Sequence, residues 1–192
     1  MKTLKSILLA VVATMALTSC TYNTLVEQEE GVTRAWADVE AQYQRRADLI
    51  PNLVNTVKGY AAHESETLEA VVNARTKATQ ITVDPENLTP EKLQEFQAAQ
   101  GEVTQALGRL IAISESYPDL KASEQFSELQ AQLEGTENRI AESRRLYNEA
   151  VQTFNTTARK FPNNIWAMIF SFDKKTPFAA EAGAAKAPEV QF

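Results

Sequence analysis

The sequence predicts an all-α protein, an up-and-down four-helix bundle of long amphipathic helices followed by a short C-terminal helix. Three observations carry that expectation. Apolar residues recur every three or four positions over long stretches, which is helical spacing. The β-branched runs that mark strands are absent. Only 6 Gly and 7 Pro interrupt 192 residues, and most of the prolines stand where helices would begin or end. With 44% hydrophobic residues, a chain of this length can bury a core without covalent staples.

The N-terminus reads as an address rather than as fold. Lys2 and Lys5 form a short positive region, and Ile7 to Leu17 is an apolar run interrupted by Thr14. That run is shorter than the roughly 20 apolar residues of a comfortable membrane span and has the length of a secretory h-region. It ends in Leu17-Thr18-Ser19-Cys20, which resembles a bacterial lipobox. The expectation is a signal peptide over 1–19 and a diacylglycerol thioether on Cys20, with a further chain on the amine freed by cleavage. Several acyl chains anchor stably where one is marginal. An uncleaved membrane helix is the alternative.

The helices follow in order. A first stripe, Val26, Val32, Trp36, Val39 and Tyr43, leads to Asp48 and Pro51. Asp caps helices and Pro is tolerated in a first turn, so a second helix is expected from there. One long kinked helix is the alternative. The second stripe is Leu53, Val57, Tyr60, Leu68, Val71 and Ala78. Asp84-Pro85 and Thr89-Pro90 frame a loop, with Thr89 as the next N-cap. Leu93, Phe96, Val103, Leu107, Leu110 and Tyr117 make the third stripe, which Pro118 ends. Ser123 caps the last, which carries Phe126, Leu129, Leu133, Ile140, Tyr147, Val151 and Phe154 and closes at Phe161-Pro162. Four such stripes bury one another most simply as a bundle. Ile165 to Phe172 is too apolar to be left in water and is expected to dock as a short terminal helix; inserting at a membrane interface or gripping a partner groove are the other options. The domain boundaries are thus 1–19 leader, 20–172 bundle anchored at Cys20, and 173–192 flexible tail.

Composition excludes several chemistries. One cysteine rules out an internal disulfide framework and a cysteine-ligated zinc site. A net charge of −6, two units more negative once Lys2 and Lys5 leave with the leader, argues against sequence-independent nucleic-acid binding. A di-iron bundle needs Glu-x-x-His pairs, but the single histidine, His63, has Tyr60 at that spacing. No Gly-rich phosphate loop is present and no serine has a convincing histidine partner. No cofactor, metal or small-molecule substrate is expected.

The residues then become recognisable. Tyr22-Asn23-Thr24-Leu25-Val26, Ala35-Trp36, the run Arg45-Arg46-Ala47-Asp48-Leu49-Ile50-Pro51-Asn52-Leu53-Val54, and Val57-Lys58-Gly59-Tyr60 with His63-Glu64 come first. Tyr117-Pro118-Asp119-Leu120-Lys121, Glu134 to Ile140, Tyr147-Asn148 and Phe161-Pro162 follow. In this order, over roughly 22–178, the chain resembles the LemA family. The resemblance implies a membrane-attached, bromodomain-like four-helix bundle with no established enzymatic activity and no agreed catalytic residues. Many relatives look anchored by an uncleaved helix, so the lipobox is a departure that bears on topology.

Six residues stand out as candidate contact points for a partner. Arg45, Arg46 and Asp48 would sit at the expected turn between the first two helices, either serving helix ends or forming a fork for a carboxylate or phosphate. Asp119, Glu134, Glu137 and Arg139 are possible bundle-end partners. His63 and Glu64 adjoin, but neighbours on a helix point about 100° apart, so direct pairing for acid–base work is not expected. Trp166 marks the apolar C-terminal run. The acidic stretch 21–44 carries Glu27, Glu29, Glu30, Asp38 and Glu40 against Arg34, and would be repelled by anionic headgroups.

The function expected from sequence is a non-catalytic, lipid-anchored protein of the bacterial cell envelope, an adaptor for another membrane-associated protein. Thr21 after the cysteine, rather than Asp, favours an outer membrane where one exists. The rival classes are an accessory hydrolytic or metal-dependent enzyme using His63 with nearby carboxylates, and a lipid-handling protein acting through the Trp166 region.

Overall fold

The structure is a computed structural model that describes residues 2–179, with side chains from Thr21 onward. The order is α1 (Lys2–Tyr60), α2 (Ser65–Gln80), α3 (Pro90–Ile113), α4 (Pro118–Lys121), α5 (Glu124–Arg159) and α6 (Asn163–Ile169). The bundle of four long helices is as expected, and no strand occurs among the described residues.

Helix boundaries follow the expected chemistry at two sites. The Thr89 hydroxyl accepts from the Lys92 N–H at 3.2 Å, with Pro90 opening α3. The Ser123 hydroxyl accepts from the Phe126 N–H at 3.4 Å and opens α5. The break expected near Asp48 is not there. α1 continues through Pro51 and ends at Tyr60, and the chain reverses over Ala61–Glu64 instead. The reason is a tertiary donor. Pro51 has no N–H to give the carbonyl four residues back, which is that of Ala47. The Arg75 Nε–H of α2 donates to that oxygen at 2.7 Å. The count of four survives because the second stripe is split, with Leu53 and Val57 on α1 and Leu68, Val71 and Ala78 on α2.

Side-chain pairs give the directions. Arg75 on α2 meets Ala47 on α1, and Lys77 on α2 meets Glu102 on α3, so both neighbours run antiparallel to α2. Trp36 meets both Phe96 on α3 and Tyr147 on α5, while Arg46 meets Gln100 and Glu137. α3 therefore runs parallel to α1 and α5 antiparallel, giving an up-down-up-down bundle.

The core has two halves. One is packed from all four long helices around Leu53, Val57, Val71, Val103, Leu110 and Phe126. In the other, α2 has ended, and only α1 and α5 continue for their full length. That half is completed by the α2–α3 loop (Val83, Leu88), the start of α3, α6 and Phe178.

Phe178 comes from the segment expected to be a flexible tail. Over 173–179 that expectation is corrected. The Asn155 side chain accepts from the Lys175 N–H at 2.9 Å and donates to its carbonyl at 2.8 Å. Asn148 does the same for Phe178, at 2.8 and 3.2 Å. Tyr147 donates to the Thr176 carbonyl, and Lys175 pairs with Glu29. Two amide side chains on α5 thus satisfy a strand-like backbone that has no sheet to join. Residues 180–192 and the side chains of residues 1–20, Cys20 among them, lie outside the described part.

Candidate functional site

Arg46 is the polar centre of the bundle. It occupies a core position in the stripe Trp36, Val39, Tyr43, Arg46, Ile50 and Leu53, and only 2% of its surface is exposed. A buried guanidinium must be paired and hydrogen-bonded or its desolvation is uncompensated. Here Nη1 donates to Thr104 Oγ1 at 2.9 Å and to Glu137 Oε1 at 2.7 Å. Nη2 donates to Gln100 Oε1 at 2.6 Å and to the Gln100 carbonyl at 3.2 Å. The guanidinium also lies 5.1 Å over the Tyr43 ring. One side chain on α1 therefore ties α3 and α5 together in the interior, not at a bundle end.

Two solvent-connected cavities of about 470 Å³ flank it. One lies among α1, α2 and α3 and is lined by Arg46, Arg75, Gln44, Thr79 and Gln100. The other lies among α1, α3 and α5 and is lined by Arg46, Gln97, Thr104, Glu137 and Arg144. Their polar groups include the ones that satisfy Arg46 and the Ala47 carbonyl, so these grooves are built around structural hydrogen bonds.

The other candidates do not join Arg46. Arg45 is exposed on the adjoining face, and exposed Asp48 accepts from Gln44 Nε2 at 2.7 Å. The three residues sit mid-helix, not at a turn; at about 100° per residue Arg45 and Asp48 share an exposed face, while Arg46 points into the core. His63 is exposed in the α1–α2 connection. Glu64 accepts from the Tyr117 hydroxyl at 3.1 Å, tying that connection to the α3–α4 one. This hydrogen bond holds the Tyr117 phenol above its ordinary range, with burial and the Glu64 charge adding to it. Trp166 is half-buried at the opposite end, stacked on Phe170. At 1.5 Å per residue, Arg46 lies about 40 Å, and the His63 connection about 60 Å, along α1 from Cys20. The six candidates are thus spread over three levels of the rod.

Among the described residues no group of three or more His, Cys, Asp or Glu is placed to hold a metal ion. No described helix is long and apolar enough to cross a membrane. Of the partners of Arg46, Glu137 is among the residues singled out from sequence, while Gln100 and Thr104 are not. Asn148 and Asn155 also escaped, because nothing local says that their amides face another segment's backbone.

The model of the LemA family matches residues 35–192. The chain belongs to the LemA family. The match takes in the C-terminal segment that docks on α5, which makes that segment part of the LemA unit. Among similar proteins are magnetosome proteins MamQ 1 and MamQ 2 of Paramagnetospirillum magneticum, each 29% identical across 95% of this chain and 73% of the relative. Protein LemA of Metamycoplasma hominis is 27% identical across 74% of this chain and 61% of its own length. None of these names denotes an enzyme.

Proposed function

We propose that this LemA-family chain is a non-catalytic, membrane-tethered scaffold: a helical rod held at the cell envelope by lipid on Cys20, with an envelope protein as its partner. The observation that carries this reading is the continuity of α1. One helix runs from Lys2 past Cys20 to Tyr60, so the tether and the bundle share a single rigid element. A partner bound on the exposed face of Arg45 and Asp48, or at the His63–Glu64 connection, is then presented at a set height above the bilayer. The polar groups of the interior support a structural rather than a chemical role, because Arg46, Gln100, Thr104 and Glu137 are engaged with one another.

In-cell photo-crosslinking tests the reading, with the crosslinker at Arg45 or His63. The expected result is one recurring membrane or envelope protein captured from these positions and not from the buried Val57. Capture of no specific neighbour under any growth condition removes the adaptor role.

A further inference from the structure

We propose that the end of the bundle built by α6 and the turn of α1 around Tyr22 is a membrane seat, an apolar patch flanked by exposed bases that rests on a bilayer containing anionic phospholipid. The proposal deepens the tether reading and rests on it.

α6 docks with one side only. Ala167 is buried in the core, and the Phe172 N–H closes the helix on the Ala167 carbonyl at 2.9 Å. The other side is bare. Met168 is 77% and Phe161 81% exposed, and Ile165, Ile169, Phe170 and Tyr22 are also exposed. Contiguous apolar surface of this kind is rare on a soluble face and marks an interaction site. Ile165, Met168 and Ile169 share one face of α6 at i, i+3 and i+4, and the Tyr22 and Phe170 rings meet edge-on with centroids 5.0 Å apart.

The position names the occupant. Tyr22 lies two residues beyond Cys20 on the same helix, and the apolar run Ile7 to Leu17 precedes it in sequence. The bare patch is therefore at the end of the rod where any lipid on Cys20, or the apolar run itself, enters the bilayer. Charge agrees. Arg159, Lys160 and Lys174 are exposed beside the patch, and no described carboxylate pairs with them. Arg159, Lys160 and Lys174 border one groove with Asn155 and Pro177. From 159 to 175 the chain has four bases against Asp173, and Lys175 neutralises Glu29. Glu27 and Glu30 are about 10–15 Å farther up α1 than Cys20, at the height where Lys175 pairs with Glu29, whereas Arg159 and Lys160 stand at the end of α5 nearer the tip. The repulsion expected for the acidic stretch thus falls away from the tip, while basic residues at the surface attract anionic lipid. Aromatic rings with one apolar and one polar side, such as Trp166 and Tyr22, suit the headgroup boundary. Two attachments at one end, the tether and the seat, orient the rod where a tether alone would let it swing.

The chain has two tryptophans, Trp36 in the core and Trp166 on α6, which makes the test direct. The full chain is reconstituted into phosphatidylcholine–phosphatidylglycerol vesicles whose acyl chains are brominated, and tryptophan emission is compared with unbrominated vesicles. The expected result is loss of the Trp166 share of the emission, with no quenching in a Trp166→Phe variant. Met168→Glu with Ile169→Glu is expected to abolish the quenching while the protein still floats with the vesicles. Lys160→Glu with Lys174→Glu is expected to remove the preference for phosphatidylglycerol over pure phosphatidylcholine. A chain that floats with Trp166 unquenched overturns the seat and leaves the tether standing. A chain that does not float overturns both. Absent quenching together with chain-to-chain crosslinking through Met168→Cys overturns the seat in favour of a second copy on this face.

Discussion

Arg75 of α2 donates its Nε–H to the carbonyl of Ala47 on α1, the acceptor that Pro51 leaves without an intrahelical partner. A proline inside a helix ordinarily costs about 3 kcal/mol, from the lost bond and the clash with the preceding turn. Here a neighbouring helix replaces the bond, and α1 stays continuous from its N-terminal region to the far tip.

This pairing predicts a coupling. Arg75→Met removes a charge-assisted hydrogen bond to a backbone carbonyl and is expected to cost about 1–2 kcal/mol. In a Pro51→Ala background the backbone N–H restored at position 51 takes over the Ala47 carbonyl, and the same change is expected to cost distinctly less. Urea unfolding of the four proteins gives the coupling. Equal costs in both backgrounds would mean that Arg75 does not serve the proline.

Arg46 and Glu137 form an unequal pair, 2% and 42% exposed. Arg46→Ala leaves a cavity and strands Gln100 and Thr104, and is expected to cost about 3 kcal/mol. Glu137→Ala is expected to cost about 1 kcal/mol, because water reaches Glu137 and Arg46 retains its other acceptors. Arg46→Lys is expected to rescue little, since one ammonium cannot serve three partner residues from a planar fork. Thermal unfolding checks the order, and a tolerated Arg46→Ala would contradict it.

The C-terminal segment is held by Asn148, Asn155 and the stacking of Phe178 on Trp36, whose centroids are 5.6 Å apart. Phe178→Ala is expected to cost about 3 kcal/mol as a large-to-small core change. Asn148→Ala and Asn155→Ala are expected to raise amide exchange over 173–179 while the middle of α5 stays protected. Hydrogen-exchange mass spectrometry reads both, and unaltered exchange in both variants would show the segment held by something else.

Tyr147 gives an alkaline signature. It is 1% exposed, and burial pushes its phenol up to about 12 from an ordinary 10.0. Below pH 10 folded and unfolded chains both keep this proton, and its contribution to stability is whole. Between 10 and about 12 the unfolded chain loses the proton and the folded chain does not, so stability falls as pH rises. The urea midpoint is expected to fall more steeply across that window in the natural chain than in Tyr147→Phe. Matching slopes would contradict the assignment.

What could be read from the sequence is what is local. Trp36, Tyr43, Phe96 and Phe154 stand at helical spacing and are core residues. Thr89 and Ser123 announce their helix starts with their own hydroxyls. Arg46 was singled out from the sequence, but as a turn residue at a helix end with Glu137 as a bundle-end partner, and not as the centre of an interior network. Pro51 could not be read correctly, because the donor that excuses it sits on another helix. The docking of 173–179 was hidden for the same reason, since it depends on amides from α5. The bare side of α6 divides the expectation for Ile165–Phe172, which docks through Ala167 and exposes Met168 and Ile169.

The tether is the central claim, and metabolic labelling with a palmitate analogue tests it most directly. The natural chain and Cys20→Ala are expressed side by side in cells, and label and membrane fraction are read together. The account predicts a labelled natural chain in the membrane fraction, an unlabelled Cys20→Ala chain, and a mass consistent with loss of 1–19 in the labelled form alone. An unlabelled natural chain that still carries residues 1–19 would contradict it.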